Sequence, residues 1–339
     1  MGAGRVRMMS MAVLVVLVAG TTAGCSGHPT ANRTNGAASQ RRTPLWTLSD
    51  VGLKTQLIRQ LKSPPALVVL GGSRALRFQP SFIRQAIGLS AFNAAVPHAT
   101  PQDEWCIAHL FHRRFPTTRF RFLWIIHCDE FDEYSPGAAL LEDPFLSRFL
   151  PPAFVDARLE RLGSSANAML LAGARQPSVI TPDGFTVSDS ISAAANIGSL
   201  RQRVSRYIKG TLSFYRRTPA RIDRAPSHYF AMTLRLMSAI GAKPIVVLAP
   251  LQPWYLAAIY HHGWEARHRL VLTYLRHLQT AYRFSVLDFS RLSSVHGSAT
   301  GFYDGEHLRP AIARLVIEAV MKGLPNAFAM PLGALVNRS

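Results

Sequence analysis

Acidic residues and cysteines are what this chain has little of. Asp and Glu total 19 against 38 Lys and Arg, leaving a formal net charge of +19 over 339 residues. So lopsided a field attracts polyanions and anionic membrane surfaces. Only 3 cysteines occur, too few for a scaffold built on disulfides. C-x-x-C, H-E-x-x-H and clustered His/Cys spacings are all missing, so neither a metal nor another cofactor is expected. No internal repeat is evident. Beyond the N-terminus no apolar run is long enough to cross a bilayer.

The N-terminus reads as a targeting segment. Arg5 and Arg7 precede an apolar run from Met8 to Ala19, and Thr22-Ala23-Gly24-Cys25 follows. A positive start, a short apolar stretch and small residues before a cysteine predict a bacterial lipoprotein-type signal over residues 1–25. Cys25 is then the lipidation site and the membrane anchor. A cleaved signal peptide without lipid, or an uncleaved anchor, are the alternatives. Residues 26–45, rich in Ser, Thr, Asn, Gly and Ala, read as a flexible tether. Residues 46–325 read as one folded domain and residues 326–339 as a short tail. Export places the basic charge opposite anionic envelope polymers or phospholipid headgroups rather than nucleic acid. Cys106 and Cys128 are expected as two separately buried thiols, with pairing as the alternative.

About 290 residues remain to fold, enough for a single large α/β domain. Ala66 to Leu70 is an apolar run ended by Gly-Gly, which predicts a buried strand. Further strands are expected at Leu89 to Ala95, Arg119 to Ile126, Pro244 to Leu248 and Phe284 to Phe289. Helices are expected from Arg74 to Ile87 (with Pro80 as a possible break), Pro101 to Phe115, Pro226 to Ile240, Glu265 to Tyr282 and Pro310 to Met321. Strands alternating with helices imply βαβ units and a parallel sheet. Residues 131–225 interrupt the rhythm and read as an insertion, a lid or an ordered spacer. Its densest basic stretch, Arg201 to Arg224, reads as a solvated helix face.

Two short motifs carry chemistry. Gly71-Gly72-Ser73-Arg74 puts a serine on a turn straight after the first strand. Asp304-Gly305-Glu306-His307 puts an acid three residues before a histidine, just ahead of the last helix. A histidine activates a serine by taking its proton, and a carboxylate holds the imidazole in the needed tautomer. His98 and His127 are rivals to His307, but no carboxylate precedes either at that spacing. Taken singly, Ser73 reads equally as a helix cap, and Asp304 and His307 as a cap and a surface histidine.

The joint pattern resembles the SGNH (GDSL-type) hydrolase superfamily. Gly71-Gly72-Ser73-Arg74 stands where that superfamily has its Gly-Asp-Ser block, with Gly72 in place of the acid. Asn93-Ala94-Ala95-Val96-Pro97-His98 looks like the second block, with His98 at the oxyanion-hole glycine. Ile125-Ile126-His127-Cys128-Asp129-Glu130 stands at the Gly-x-Asn-Asp block, with Asp129 in place of the asparagine. Tyr303 to Leu308 matches the last block. A Gly71-x-Ser73-x-Ala75 echo of the α/β-hydrolase elbow is weaker, because there the acid lies far from the histidine. The resemblance implies a three-layer α/β/α, flavodoxin-like fold with a five-stranded, mainly parallel sheet. It implies Ser73 as nucleophile, His307 as general base and Asp304 as its orienter. His98, Asn93 and Asp129 then line the oxyanion cleft, and Arg74 and Trp254 touch substrate. The expected activity is that of a serine esterase or O-acyltransferase on an acylated glycan, lipid or cell-wall polymer. A non-catalytic accessory protein of envelope polysaccharide modification is the alternative.

Overall fold

The computed structural model describes residues 50–132, 143–156 and 178–324. The signal segment with Cys25, the tether and the C-terminal tail lie outside the described residues. Five strands form one parallel sheet in the order β2-β1-β3-β6-β7: β1 (Leu67–Gly71), β2 (Ala91–Asn93), β3 (Arg121–Ile126), β6 (Ile245–Leu248) and β7 (Ser285–Asp288). Between β3 and β6 the chain adds a separate antiparallel pair, β4 (Val179–Ile180) and β5 (Thr186–Ser188).

The apolar runs form strands because both faces of the sheet are covered, as parallel sheets require. Alternate residues point to opposite sides. Val68, Leu70, Phe122, Trp124, Val246 and Leu248 join one core with residues of the helices Pro101–Arg114 and Arg224–Ala239. Leu67, Val69, Leu123, Ile125, Ile245 and Val247 join the opposite core with the helices Pro80–Ile87 and Pro310–Gly323. The result is a sheet flanked by helices, and its strand order is compatible with a flavodoxin-like three-layer fold.

Several expected boundaries shift. Arg74 to Ile87 is not one helix. A 3-10 turn covers Ser73–Ala75, and the helix starts afresh at Pro80. Proline lacks the N–H that an interior turn needs, but fits the first turn, so it opens this helix. The second strand shrinks to Ala91–Asn93, after Gly88 caps the preceding helix in the left-handed region at φ 77°. The helix Asp50–Gln60 was not anticipated; its Lys54 is buried and donates to the Ala95 carbonyl oxygen.

Of the insertion, the described part holds the β4–β5 pair and the helices Ser190–Ala194 and Leu200–Arg217. The longer helix begins in a Ser199/Gln202 capping box. It is more than a solvated face. Val204 and Tyr215 pack with Leu251, Tyr255, Leu256, Ile259 and Trp264, and Arg203 donates to the Tyr303 carbonyl oxygen at 2.7 Å. A buried ion pair between Arg77 and Asp189 ties the insertion to the loop after β1. Cys106 and Cys128 are buried free thiols.

Candidate active site

The carboxyl edge of a parallel sheet is where open α/β folds bind ligands, above all where the chain reverses direction across the sheet. Here β1 lies between β2 and β3, and Ser73 follows β1 directly. Gly71 makes the turn possible. Its φ is +139°, and a Cβ would lie 2.3 Å from the Ile125 carbonyl oxygen, so only glycine fits.

Ser73 meets His307, a residue 234 positions away. Ser73 Oγ lies 3.0 Å from His307 Nε2, and His307 Nδ1 lies 2.7 Å from Asp304 Oδ2. The other carboxylate oxygen, Oδ1, accepts from the backbone N–H of Glu306 and of His307, each at 3.0 Å. This clamp leaves Oδ2 for the imidazole, so Nδ1 carries the proton and Nε2 is free to accept one from Ser73. Loop closure fixes the arrangement: Tyr303 N–H donates to the His307 carbonyl at 2.8 Å, and Gln252 N–H to that of Gly305 at 3.0 Å.

Charge follows this geometry. Burial pulls the His307 pKa down, but the hydrogen bond and charge of Asp304, helped by Glu306, outweigh it and leave it raised. Burial pushes Asp304 up, and the hydrogen bonds from His307 and the backbone overcome that, leaving it lowered. Neutral His307 beside ionised Asp304 is therefore the resting state above the raised imidazole pKa.

The other expected site residues separate into three groups. Asn93 does not line the cleft. It is fully buried; its amide donates to the carbonyls of Ala75 at 2.8 Å and Phe78 at 2.9 Å, and its Oδ1 accepts from Ala95 N–H at 3.0 Å. It braces the loop after Ser73 instead. Arg74 is also buried rather than offered to substrate, because its guanidinium pairs with Glu306. His98 and Trp254 stay at the surface: His98 is exposed as a residue, with its backbone at φ 55°, though partial burial of its ring lowers the imidazole pKa, and Trp254 is half-exposed at the start of the helix Pro253–Ile259.

Asp129 sits on the 3-10 turn after β3, with Tyr215 Oη donating to it at 2.5 Å and Arg267 Nε 3.8 Å away. Burial raises its pKa to about 6, against the opposing pull of Tyr215 and Arg267. Beside it, burial and the Arg74 charge hold His127 down to about 3, so this histidine stays neutral. Deeper still, Glu104 and Glu130 are fully buried and each is pushed well up, first by burial and then, for Glu130, by Glu104.

Sequence reasoning missed Tyr207, Tyr215 and the role of Glu306. Tyr207 donates its hydroxyl to Glu306, and its ring stands edge-on to the His307 ring with centroids 5.8 Å apart. The capping box and the aromatics on the basic helix were the available signals for a helix whose inner side faces the site. Among the described residues no cluster of His, Cys, Asp and Glu suited to a metal is present. No protein-family model and no curated protein matches the chain.

Proposed function

We propose that this chain is a serine esterase or O-acyltransferase of the SGNH type, lipid-anchored at Cys25 and acting outside the cytoplasm on an acylated glycan, lipid or envelope polymer. The observation that carries the reading is the continuous relay from Asp304 through His307 to Ser73, with both contacts at hydrogen-bond length. Ser73 Oγ attacks the ester carbonyl while His307 Nε2 takes its proton. The proton then passes to the leaving alkoxide, and the acyl group stays on Ser73. Water or an acceptor hydroxyl attacks in the second half, and His307 again moves the proton.

The oxyanion needs preorganised donors. The backbone N–H groups of Ser73 and His98 fill that role. The left-handed backbone at His98 fits a position where the superfamily carries glycine. Asp129 cannot donate once ionised, and with a pKa of about 6 it is a carboxylate whenever His307 is neutral. That conflict supports a second reading, a non-catalytic accessory protein on the same fold. Hydrolysis of p-nitrophenyl acetate separates the two. The enzyme reading expects turnover that Ser73→Ala abolishes. Binding of an envelope glycan, with no turnover by either form, favours the accessory reading.

A further inference from the structure

The helix Leu200–Arg217 has two unlike sides. Its inner side packs on the domain: Val204 and Tyr215 join a buried cluster, Arg203 holds the Tyr303 carbonyl, and Tyr207 donates to Glu306. Its outer side is basic. Arg201, Arg206, Lys209, Arg216 and Arg217 are all exposed, and the helical repeat gathers them within one half of the circumference. No acid stands between Asp189 and Asp223 in the chain.

Two of the five cations are engaged, by groups that carry no negative charge. Arg206 donates to the Ile197 carbonyl oxygen at 2.8 Å, and Arg216 Nη2 lies 3.5 Å from His262 Nε2. Arg201, Lys209 and Arg217 pair with no carboxylate among the described residues. Cations gathered without a neutralising acid raise the local potential and favour an anionic partner. Ile197 points to the kind of partner. It is 61% exposed, two residues ahead of the Ser199 cap, and the Arg206 bond to its carbonyl keeps it beside the basic side. A soluble polyanion gains little from an apolar side chain. A lipid surface gains more, because the apolar group enters the headgroup layer while the cations meet the phosphates.

We infer that the outer side of this helix docks on an anionic phospholipid surface through Arg201, Lys209 and Arg217, with Ile197 as the apolar contact. The helix lies on that surface rather than in it, because its apolar side is already packed. Tyr207 touches the relay from the inner side, so docking sets Ser73 and His307 about 10–20 Å from the headgroups, one to two helix diameters. The docking itself does not depend on the proposed Ser73 chemistry.

The test places a solvatochromic dye at Ser205→Cys, an exposed position on the same side. Cys106 and Cys128 are buried, and the chain without Ser205→Cys gives the background. The full chain is reconstituted into vesicles of phosphatidylcholine, alone or with one part in three of phosphatidylglycerol. The expected result is a blue shift in the phosphatidylglycerol vesicles only, reversed in about 1 M salt, where charge is screened. Each cation near such a surface is worth roughly fivefold. Arg201→Gln/Lys209→Gln/Arg217→Gln should therefore lower the docked-to-free ratio by about a hundredfold, and glutamine keeps the helix. Ile197→Ser should lower it severalfold. Turnover of p-nitrophenyl acetate, a soluble ester, should be equal in wild type and the triple variant, so a failed docking and a failed esterase are read separately. No phosphatidylglycerol-dependent shift, or one untouched by the triple variant, overturns the docking surface. An equal shift from soluble polyphosphate without vesicles, indifferent to Ile197→Ser, overturns the lipid surface in favour of a soluble anionic polymer.

Discussion

Arg74 and Glu306 form an ion pair between the residue after Ser73 and the residue before His307. The two side chains are 6% and 16% exposed. Glu306 also accepts from Tyr207, so one carboxylate joins the first strand's loop, the last loop and the inserted helix. The pair therefore holds the two halves of the relay at their 3.0 Å separation.

Breaking that pair on one side leaves an uncompensated buried charge. Arg74→Met or Glu306→Gln should each cost about 3–5 kcal/mol in urea unfolding. The double change Arg74→Met/Glu306→Met should recover most of the loss, because no lone charge remains. Equal or greater loss in the double variant would show that packing, not charge pairing, sets the cost.

The relay has a pH signature. Ester turnover should rise with pH as His307 loses its proton, with a midpoint above the ordinary histidine value of 6.5. The sign for stability is opposite. A raised folded-state pKa contributes stability in full below 6.5, and that contribution fades as pH climbs through the raised value. Asp304→Asn removes the main upward pull, so the midpoint should move toward acid and kcat fall by about 10³–10⁴. A midpoint that does not move in Asp304→Asn would mean another group titrates.

How much of this was legible in the sequence differs by element. β1 and the last helix were readable because each is a dense apolar pattern bounded by Gly-Gly or Pro. Ser73 and the Asp304–His307 pair sit directly on those boundaries, so local signals located all three. Arg74 and Asn93 were misplaced because their partners are remote. Arg74 meets a carboxylate 232 residues away, and Asn93 turns inward to donate to the Ala75 and Phe78 carbonyls of the chain that follows Ser73. The helix Leu200–Arg217 looked solvated because basic side chains dominate its composition. Its inner side is recognisable only once the loop at Tyr303 and the helix Pro253–Ile259 pack against it.

Asn93→Ala tests the brace directly. Four buried hydrogen bonds to backbone are lost, and the stranded groups should cost about 2–4 kcal/mol of stability. A fall in ester turnover with an unchanged melting temperature would instead return Asn93 to the cleft.

Asp129→Asn separates charge from shape. Asparagine can still accept from Tyr215 through its carbonyl oxygen, and, if position 129 lines the oxyanion cleft as the resemblance implies, it adds an N–H donor there and removes a negative charge. Ester turnover above pH 7 should rise severalfold, and the gain should shrink below about pH 6, where Asp129 itself becomes protonated. A tenfold loss with the fold intact would mean that the carboxylate is used in the reaction.

The central claim is that Ser73 is a nucleophile activated by His307. Labelling with a fluorophosphonate probe, read by intact mass, tests it most directly. The account predicts a single adduct on wild type, mapped to Ser73, absent in Ser73→Ala and strongly slowed in His307→Ala. A Ser73→Ala protein that still labels, or a folded wild type that never does, would contradict it.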